Sequence, residues 1–495
     1  MVRNPFRDRR KQCTGSKRVR RTRIVCTLGP ASNSRSEIMR LARAGMDVAR
    51  LNFSHGTPED HATVADRVRS VAASLGRPVA LLQDLPGPKI RIGRVVEGGV
   101  RLRRGSLVRF VEEDVEGDGD VFSLPHPCVL AALRPGSEMW LADGLIHMRV
   151  VETGEGWVRA KVLSEGVLSG HKGVNLPDVD IAVPGALERD LELFRCGLEM
   201  GVDWVAVSFV GGPEDAEPFR QAAREAGREH VRLLAKVERR QALARIGAII
   251  AAFDGVLVAR GDLGIETPIR DVPAVQKRLV NLCNEAGKPV VVATQMLMSM
   301  VASPRPTRAE ATDVANAILD GADAVMLSEE TAVGRYPARC VSTMASIASS
   351  AEDFCRRSQM REERSLSRPP DPTEVIAFGA ARMAGHLGAR AIITCTSTGA
   401  TARAVSKHRP DVPILAAVTS EWVAAQLCLS WGVRPYMVPP AGNTDEMIFN
   451  AVNCAMAAGM VKWGDPVVIV AGVPAGVPGN TCLVKYHRVG DTVWM

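Results

Sequence analysis

The sequence has few aromatic residues, no long apolar run and no closely spaced cysteines. Aromatic side chains make up 4% of its 495 residues. No stretch approaches the roughly 18 uninterrupted apolar residues that a membrane-spanning helix needs. No apolar signal core follows the N-terminus either. We therefore expect a cytoplasmic protein with no membrane partner.

The 11 cysteines are dispersed along the chain. No two lie closer together than Cys13 and Cys26, and there is no C-x-x-C pair. An odd, scattered set in a chain of this size is typical of reduced thiols. This pattern argues against a disulfide framework and against a zinc site.

Positive charge is concentrated at the start of the chain. The formal net charge is +7, yet residues 1–23 hold ten Arg or Lys and one acidic residue, Asp8, so the remaining chain is close to neutral. A near-neutral body lacks the basic surface that nucleic-acid binding requires, and we expect no nucleic-acid partner. Residues 1–20 are predicted to be a solvated, disordered basic arm. Alternatively, this arm contacts RNA, a membrane or an acidic partner, or acts as a transit peptide.

Eight short, apolar, β-rich runs alternate with stretches of helical character. The runs are RIVCTLG from Arg23, VARLNFS from Val48, VALLQD from Val79, VDWVAVSFV from Val202, VRLLAKVE from Val231, FDGVLVARGD from Phe253, PVVVATQ from Pro289 and ADAVMLSEE from Ala322. Continuous apolar strands separated by helices favour a parallel sheet covered on both faces. Eight such units favour a (β/α)8 barrel over an open sheet.

Two segments depart from this rhythm. About a hundred residues separate the third and fourth barrel strands. Their alternating runs, such as VRLRRGSLVRFV and EGWVRAKVLS, predict a small β-barrel, with a sandwich as the alternative. Beyond about residue 349, the charged stretch REERSLSRPPDP precedes a second α/β pattern with strands near ARAIITCT, VPILAAV and DPVVIVAG. The expected fold class is α/β: a (β/α)8 TIM barrel (21–86 and 184–349), an inserted small β-barrel lid domain (87–183) and a C-terminal doubly wound α/β domain (350–495).

Polar and charged residues recur where the apolar barrel runs end. They are Arg50, Asn52 and Ser54; Gln83 and Asp84; Ser208; Lys236 and Glu238; Arg260 and Asp262; Thr294 and Gln295; and Ser328 and Glu330. The active site of a (β/α)8 barrel lies at the C-terminal ends of its strands. Polar ends on seven of the eight runs would therefore converge on one mouth, which favours an enzyme.

The residue types at this mouth favour phosphoryl transfer. Glu238 and Asp262 offer oxygen ligands suited to Mg²⁺ or Mn²⁺. The cations suited to phosphate are Arg50, Arg91, Lys172 and Lys236. A metal ion and several cations stabilise the charge on a transferring phosphoryl group. Lys236 and Glu238 are two residues apart on one strand, so their side chains point to the same face. The alternative to roles in phosphoryl transfer is that the two form a salt bridge that closes the barrel mouth.

Several long motifs resemble those of the pyruvate kinase family. They are RRTRIVCTLGPAS, DVARLNFSHG, HKGVNLP, AKVERRQAL, VARGDLGIE, PVVVATQML and SPRPTRAEATDVANAILDGADAVMLSEETA. The resemblance covers nearly the whole chain from about Arg21 and preserves the order and spacing of the motifs. It implies a glycolytic enzyme that transfers the phosphoryl group of phosphoenolpyruvate to ADP, giving pyruvate and ATP.

The resemblance also implies roles around the substrate. Lys236 would stabilise the transferring phosphoryl group and the enolate, and Glu238 and Asp262 would hold Mg²⁺ or Mn²⁺. Backbone N–H groups of Gly261 and Asp262, at a helix start, would bind the substrate carboxylate. Thr294 would lie beside the methylene carbon of the substrate.

Further roles follow from the same resemblance. Ser328 and Glu330 would belong to the water chain that delivers the proton, and which group is the acid stays open. The residues implied to contact the nucleotide phosphates or the transferred group are Arg50, Asn52, His55, Arg91 and Lys172. A purely structural role in a loop or turn is the alternative for His55, Asn52 and Ser54.

The segment QDLPGPKIRIG departs from the family pattern. Many pyruvate kinases need K⁺ and read D-T-K-G-P-E-I-R here. The K⁺ ligands of those enzymes match Asn52, Ser54, Asp84 and the carbonyl of Leu85. This chain has Lys89 in place of the Glu. Because a tethered ammonium can replace a monovalent cation and repel K⁺, we expect no K⁺ requirement. A Lys89 that points to solvent and changes nothing is the alternative.

The inserted domain and the C-terminal domain suggest closure and regulation. Tethers at Pro-Gly-Pro (86–88) and Asn-Leu-Pro-Asp (175–178) predict a lid that closes over the barrel and brings Lys172 with it, and a rigid decoration is the alternative.

The candidate effector loop consists of Ser397, Thr398, Gly399 and Thr401. Such a loop at a helix start favours phosphate, and in many pyruvate kinases it takes a sugar phosphate. An ordinary strand–helix turn is the alternative. The family resemblance implies a homotetramer.

Two other functions stay open from the sequence. A barrel lyase or aldolase that forms the enolate of a keto acid would share the Lys, Glu and Asp around a metal, but it would need no nucleotide and no lid. A non-catalytic relative could act as a metabolite sensor. Loss of Lys236, Glu238 or Asp262 would have favoured the sensor, and all three are present.

Overall fold

The structure, a computed structural model, describes residues 20–142, 144–177, 179, 186–357, 371–474 and 480–491. Nearly all of the predicted basic arm lies outside these residues, as do most of the charged stretch before the C-terminal domain and Asp178 of the second predicted tether. No helix in the described ranges has the length and apolar character needed to span a membrane.

The strands of the described residues form a closed barrel and three smaller sheets. In chain order they are β1 (Arg23–Thr27), β2 (Val48–Asn52), β3 (Ala80–Asp84), β4 (Val100–Leu102), β5 (Leu107–Val111), β6 (Val121–Ser123), β7 (Glu138–Leu141), β8 (Ile146–Gly154), β9 (Trp157–Val162), β10 (Gly166–Leu168), β11 (Val174–Asn175), β12 (Trp204–Val207), β13 (Arg232–Val237), β14 (Gly255–Ala259), β15 (Val290–Ala293), β16 (Ala324–Leu327), β17 (Ala391–Cys395), β18 (Ile414–Val418), β19 (Val433–Met437), β20 (Pro466–Gly472) and β21 (Thr481–Arg488).

The helices alternate with the barrel strands and with those of the C-terminal domain. In chain order they are α1 (Arg35–Ala44), α2 (Pro58–Leu75), α3 (Pro127–Ala132), α4 (Ala186–Glu199), α5 (Glu217–Glu225), α6 (Arg240–Ala244), α7 (Ile246–Ala252), α8 (Arg260–Glu266), α9 (Val272–Glu285), α10 (Arg308–Leu319), α11 (Glu329–Ala332), α12 (Pro337–Arg357), α13 (Pro372–His386), α14 (Ala400–Lys407), α15 (Glu421–Leu427) and α16 (Thr444–Ala457). Short 3₁₀ helices cover Pro213–Ala216 and Met298–Val301.

Eight parallel strands of the described chain close into a barrel in the order β1-β16-β15-β14-β13-β12-β3-β2. Side chains such as Val25 and Leu234 fill its interior, while alternate side chains such as Ile24 and Leu233 pack outward under the helices. This burial on both faces explains why the strands read as continuous apolar runs. Since all eight strands are parallel, their carboxyl ends meet at one mouth.

The chain leaves the barrel after β3 and returns before β12. In between, the described residues form a six-stranded sheet, β11-β7-β8-β9-β5-β6, and a two-stranded sheet, β10-β4. This region has its own core, which includes Phe110 and Phe122. The expected fold class is confirmed with one difference: these strands form open sheets and not a closed small barrel, because β4 and β10 pair with each other instead of joining the larger sheet.

The C-terminal domain contains a five-stranded sheet in the order β19-β18-β17-β20-β21, parallel except for β21. Apolar clusters around Ile392 and Ile393 lie on its two faces, as a doubly wound sheet requires. This domain covers the amino-terminal end of the barrel. There Trp204 Nε1 donates to the Gln426 carbonyl at 3.1 Å, and Leu429 joins the inner cluster of the barrel.

Candidate active site

The barrel mouth gathers the polar strand ends that the sequence predicted. Arg50 lies on β2, Asp84 ends β3, and Ser208 directly follows β12. Lys236 lies near the end of β13, and Glu238 follows that strand. These side chains therefore lie at one end of the barrel.

Lys236 is the centre of a polar cluster. Its Nζ lies 3.0 Å from Asp84 Oδ1 and 3.0 Å from Glu238 Oε1. It also donates to Ser208 Oγ at 2.6 Å. The side chain is 13% exposed. Burial by itself disfavours the ammonium, but Asp84 and Glu238 outweigh that effect and raise the pKa of Lys236 well above its usual value. Lys236 is therefore a fixed cation at neutral pH.

Asp84 joins Lys236 to a second cation, Arg50. Arg50 Nε donates to Asp84 Oδ2 at 2.6 Å, and another guanidinium nitrogen donates to Thr27 Oγ1 at 2.7 Å. Burial favours the neutral acid, yet the charges of Arg50 and Lys236 prevail and lower the pKa of Asp84. The carboxylate thus stays ionised and holds both cations in place.

Glu238 and Asp262 are the candidate metal ligands. Glu238 Oε2 accepts a hydrogen bond from the Phe209 backbone N–H at 2.7 Å. Burial raises the pKa of Glu238; Lys236 opposes that rise and the negative charge of Asp262 adds to it. Because a divalent cation relieves repulsion between carboxylates, this pair fits a hard metal ion. No third His, Cys, Asp or Glu completes a metal-binding group in the described ranges, so substrate and water would supply the other ligands.

Gly261, Thr294 and Arg260 form a second cluster beside Asp262. Thr294, whose φ of 71° is unusual for a branched residue, accepts from the Gly261 N–H through Oγ1 at 2.8 Å. Arg260 donates to the Thr294 carbonyl and pairs with Asp313, both at 2.7 Å. Arg260, predicted only as a polar strand end, therefore fixes the loop that follows β15.

Ser328 directly follows β16, and Glu330 lies in the short helix α11. Glu330 is 1% exposed, and both of its carboxylate oxygens accept backbone hydrogen bonds, from Ser328 at 2.7 Å and from Leu297 at 3.0 Å. In this arrangement Glu330 ties together the loops that follow β15 and β16. Ser328 remains at the mouth.

The predicted nucleotide contacts fall into two groups. Asn52 ends β2, and its Oδ1 accepts from the Ser54 N–H at 3.3 Å. His55, which follows the strand, is exposed. Arg91 and Lys172 belong to the insert. The Arg91 side chain donates to the His171 carbonyl at 2.8 Å, and Arg91 forms an isolated antiparallel β-bridge with Gly173, next to Lys172. The two groups therefore approach the site from the barrel and from the insert.

A cleft separates the insert from the barrel mouth. Its lining includes Lys89 and Gly173 from the insert and Phe209 and Asp262 from the barrel. Lys89 is exposed, and its side chain runs beside Gly173. Among the described residues Asp84 pairs with Arg50 and Lys236, not with Lys89. The carbonyl of Leu85 accepts a hydrogen bond from Ser208 at 2.6 Å.

Three residues of the site were not assigned a role from the sequence. Thr27 ends β1, which was the one barrel strand without a polar residue named at its end. The hydroxyl at that position was the sequence signal that could have identified it. Ser208 was recognised as a strand end only. Asp190, on α4, accepts from the Gly87 N–H at 3.3 Å, and burial raises its pKa to about 6. A helix residue that contacts the start of the insert leaves no mark in the sequence pattern.

The candidate effector loop lies at the start of α14. Gly399 has a φ of 80° and donates its N–H to Thr396 Oγ1 at 3.0 Å. Thr401 is buried and shares a hydrogen bond of 2.8 Å with Thr481, while Ser397 is exposed. The loop thus has a glycine-dependent turn with an exposed hydroxyl.

A parallel eight-stranded barrel with a fixed lysine, an arginine and two carboxylates at its mouth fits a phosphotransferase. Comparison with known families gives the particular one. The pyruvate kinase barrel domain matches residues 19–341, and the pyruvate kinase alpha/beta domain matches residues 374–487. The chain belongs to the pyruvate kinase family, whose members convert phosphoenolpyruvate and ADP to pyruvate and ATP. The resemblance noted in the sequence is confirmed.

Bacterial relatives agree over nearly the whole chain. The pyruvate kinase of Geobacillus stearothermophilus is 43% identical over 474 residues, which is 95% of this chain and 81% of the relative. That of Corynebacterium glutamicum is 43% identical over 472 residues, 95% of this chain and 98% of the relative. That of Staphylococcus aureus strain USA300 is 43% identical over 477 residues, 96% of this chain and 81% of the relative.

Proposed function

We propose that this chain transfers the phosphoryl group of phosphoenolpyruvate to ADP at the barrel mouth, with Lys236 as the stabilising cation. The observation that carries the proposal is the position of Lys236 Nζ, held between Asp84 and Glu238 with 3.0 Å to each. A preorganised charge of this kind needs no reorganisation when the reaction occurs.

The reaction breaks the P–O bond to the enol oxygen of phosphoenolpyruvate and forms a P–O bond to the terminal phosphate of ADP. Negative charge develops on the transferring oxygens and on the enolate. Lys236 and Arg50, which pair with the two oxygens of the Asp84 carboxylate, would face this charge. The enolate carbon then takes a proton, and pyruvate is formed.

Glu238 and Asp262 would hold the divalent metal, Mg²⁺ or Mn²⁺. The support is chemical: two carboxylates repel each other, and burial of Glu238 adds to the need for a countercharge. The bound cation would supply positive charge to the phosphoryl and enolate oxygens.

Substrate and proton contacts lie around the same mouth. The N–H groups at Gly261 and Asp262 would bind the substrate carboxylate, and in this structure Thr294 Oγ1 takes the Gly261 N–H at 2.8 Å. Thr294 would move aside to lie against the methylene carbon. Ser328 and Glu330 would order the water that brings the proton.

The insert would act as a lid. Arg91 and Lys172 lie on its side of the cleft, and closure would bring them to the nucleotide phosphates near Asn52 and His55. Exclusion of water protects the phosphoryl donor from hydrolysis.

We further propose that the enzyme needs no K⁺. The matching K⁺ ligands are Asn52, Ser54, Asp84 and the carbonyl of Leu85. Asp84 already carries two ion pairs, and the Leu85 carbonyl already accepts from Ser208. Lys89 adds a positive charge to the adjoining cleft. Little negative charge is then left for a monovalent cation.

The remaining proposals concern regulation and assembly. The loop of Ser397, Thr398, Gly399 and Thr401 would bind a phosphorylated effector, since it offers hydroxyls and a glycine turn at the start of α14. Family membership supports a cytoplasmic homotetramer that works in glycolysis.

An assay coupled to lactate dehydrogenase tests the activity directly. Phosphoenolpyruvate, ADP and Mg²⁺ together should give pyruvate, and omission of ADP or Mg²⁺ should stop it. Pyruvate formation that does not depend on ADP would favour the lyase, and a folded protein with no turnover would favour the sensor.

A further inference from the structure

The two ends of the insert meet at its base. The chain leaves the barrel after β3 through the Pro-Gly-Pro tether (86–88), and α4 is the first described helix after its return. On that helix, Asp190 Oδ1 accepts a hydrogen bond from the Gly87 N–H at 3.3 Å. Because proline has no N–H, Gly87 supplies the only backbone donor of this tether. The contact therefore joins the start of the insert to the element that follows it.

Gly87 lies directly against Ser208 and Phe209. Its φ is 68°, and a Cβ at this position would lie 2.6 Å from Ser208 Cβ and 2.8 Å from Phe209 Cδ2. Glycine adopts this backbone conformation without strain and leaves room for the close approach. A shift of the tether at Gly87 would therefore displace these two residues or open a gap beside them.

Ser208 and Phe209 in turn hold the charged groups of the mouth. Ser208 Oγ donates to the Leu85 carbonyl and accepts from Lys236 Nζ, both at 2.6 Å. The Phe209 N–H donates to Glu238 Oε2 at 2.7 Å, and the φ of Phe209, 55°, is unusual for an aromatic residue. The tether is therefore coupled to Lys236 and Glu238 through one pair of neighbouring residues.

Helix α4 has anchors other than Asp190. Phe194 is fully buried in the core of the barrel. Gln83 Nε2 donates to the Leu193 carbonyl at 2.7 Å, and the helix passes so close to Gln83 that a Cβ at Gly197 would overlap its amide. These contacts fix the helix on β3, so the Asp190 carboxyl is not needed to hold it there.

The Asp190 side chain is 5% exposed, and within the described part of the chain its bond to Gly87 is the only hydrogen bond or ion pair that it makes. Burial raises its pKa to about 6; Asp84 adds to the rise, while Arg189 and Lys236 oppose it. The carboxylate therefore predominates at neutral pH. Enclosing it with a single backbone partner is unfavourable, which is typical of a group with a role in the reaction.

We propose that Asp190 is a positioning residue for the phosphoryl-transfer reaction, which acts by holding Gly87 of the lid tether against residues 208–209. This contact keeps Lys236 and Glu238 in place as the lid moves. The inference rests on the proposed function, since it assigns Asp190 to the same reaction and the same lid. Loss of the acceptor at Asp190 should then lower turnover without lowering stability.

The coupled assay on the full chain tests this with two substitutions at one position. Asp190→Leu removes the acceptor, and because a misplacement of about 1 Å can cost about a hundredfold, its kcat should fall at least about tenfold. Asp190→Asn keeps a carbonyl acceptor for the Gly87 N–H, so its kcat should stay within about threefold of the wild type. Glu192→Leu removes a carboxylate from an exposed position of α4 and should leave kcat unchanged.

Thermal unfolding separates positioning from a structural role. Because Asp190→Leu replaces a buried carboxylate by an apolar side chain, its Tm should equal or exceed that of the wild type. A Tm well below that of the wild type would assign Asp190 a structural role and overturn the proposal. Equal losses of kcat in Asp190→Leu and Asp190→Asn would assign the effect to charge and not to the bond with Gly87, and would overturn it as well.

A double-mutant cycle tests the contact itself. Gly87→Ala places a Cβ against Ser208 and should also lower kcat. Combined with Asp190→Leu, it should cost less than the product of the two separate losses, because both changes act on one contact. Gly76→Ala, which has a similar φ of 61° but open space around it, should keep the kcat of the wild type. Losses that multiply independently would contradict the coupling.

The wild type separates this inference from the proposed function. Pyruvate formation that needs ADP supports the proposed function whatever the variants do. If the wild type is active and Asp190→Leu has the same kcat, the positioning role of Asp190 alone is overturned. A folded wild type without turnover would overturn the proposed function, and this inference with it.

Discussion

Asp84 and Lys236 form a buried ion pair across the barrel mouth, with 3.0 Å between Oδ1 and Nζ. The two residues lie on β3 and β13, which are separated in the barrel by β12. The other oxygen of Asp84 holds Arg50. One carboxylate therefore holds both cations that we propose to face the transferring phosphoryl group.

This arrangement predicts a large effect of Asp84→Asn on turnover. The amide leaves Lys236 and Arg50 without the charge that positions them, so kcat should fall about tenfold to a hundredfold in the coupled assay. Asp203→Asn is the control, because it disrupts the ion pair of a buried aspartate with the partly exposed Arg69, 3.0 Å apart, at the other end of the barrel. It should alter Tm and leave kcat nearly unchanged. Equal kcat values in the two variants would contradict the positioning role of Asp84.

The metal assignment predicts a changed Mg²⁺ dependence in Asp262→Asn. Replacing one of two carboxylate ligands should raise the Mg²⁺ concentration that gives half-maximal activity and lower the maximum rate. Asp271→Asn makes the same charge change at an exposed position just before α9 and should leave the titration unaltered. An Asp262→Asn titration that overlays the wild type would remove Asp262 from the ligand set.

The departure at Lys89 predicts full activity without K⁺. The wild type should reach its maximum rate in K⁺-free and Na⁺-free buffer with tetramethylammonium as the counter-ion. Lys89→Glu changes the local charge by two units and should acquire a K⁺ requirement, whereas Lys161→Glu, on an exposed part of β9, should not. A wild-type rate that climbs many-fold on adding KCl at fixed ionic strength would restore a K⁺ site at Asn52, Ser54 and Asp84.

The effector loop predicts a response to phosphorylated metabolites. At least one sugar phosphate or nucleotide in a panel should shift the phosphoenolpyruvate saturation curve of the wild type. Thr398→Glu should abolish that shift, because a carboxylate in the loop repels phosphate. Ser420→Glu, in another strand–helix connection of the same sheet, is the control and should retain it. A panel without effect on the wild type would remove the loop as an effector site.

The barrel strands and their polar ends were predictable from the sequence. The run beginning at Val231 became β13 (Arg232–Val237), which placed Lys236 and Glu238 at the mouth as expected. Burial on both faces gives such strands a continuous apolar pattern, and the change to polar residues marks where each strand meets the mouth. Strand ends are therefore the part of this site that a single sequence reveals.

Contacts between strands were harder to predict from the sequence. The pairing of Asp84 with Lys236 depends on barrel closure, which brings together residues more than a hundred positions apart. The insert was expected to close into a small barrel, but alternation along a strand reports which face is buried and not which strands pair at the edges. The hydrogen bonds from backbone N–H groups to both oxygens of Glu330 likewise depend on how two loops fold together, which the sequence pattern does not report.

The central claim is that Lys236 stabilises the transferring phosphoryl group, and the turnover of Lys236→Met tests it most directly. Methionine has a side chain of similar length, so Tm and circular dichroism should show a folded protein. Loss of one preorganised charge costs about 3 kcal/mol or more, which corresponds to a fall in kcat of about a hundredfold or greater. A folded Lys236→Met enzyme with near-normal turnover in the coupled assay would contradict the account.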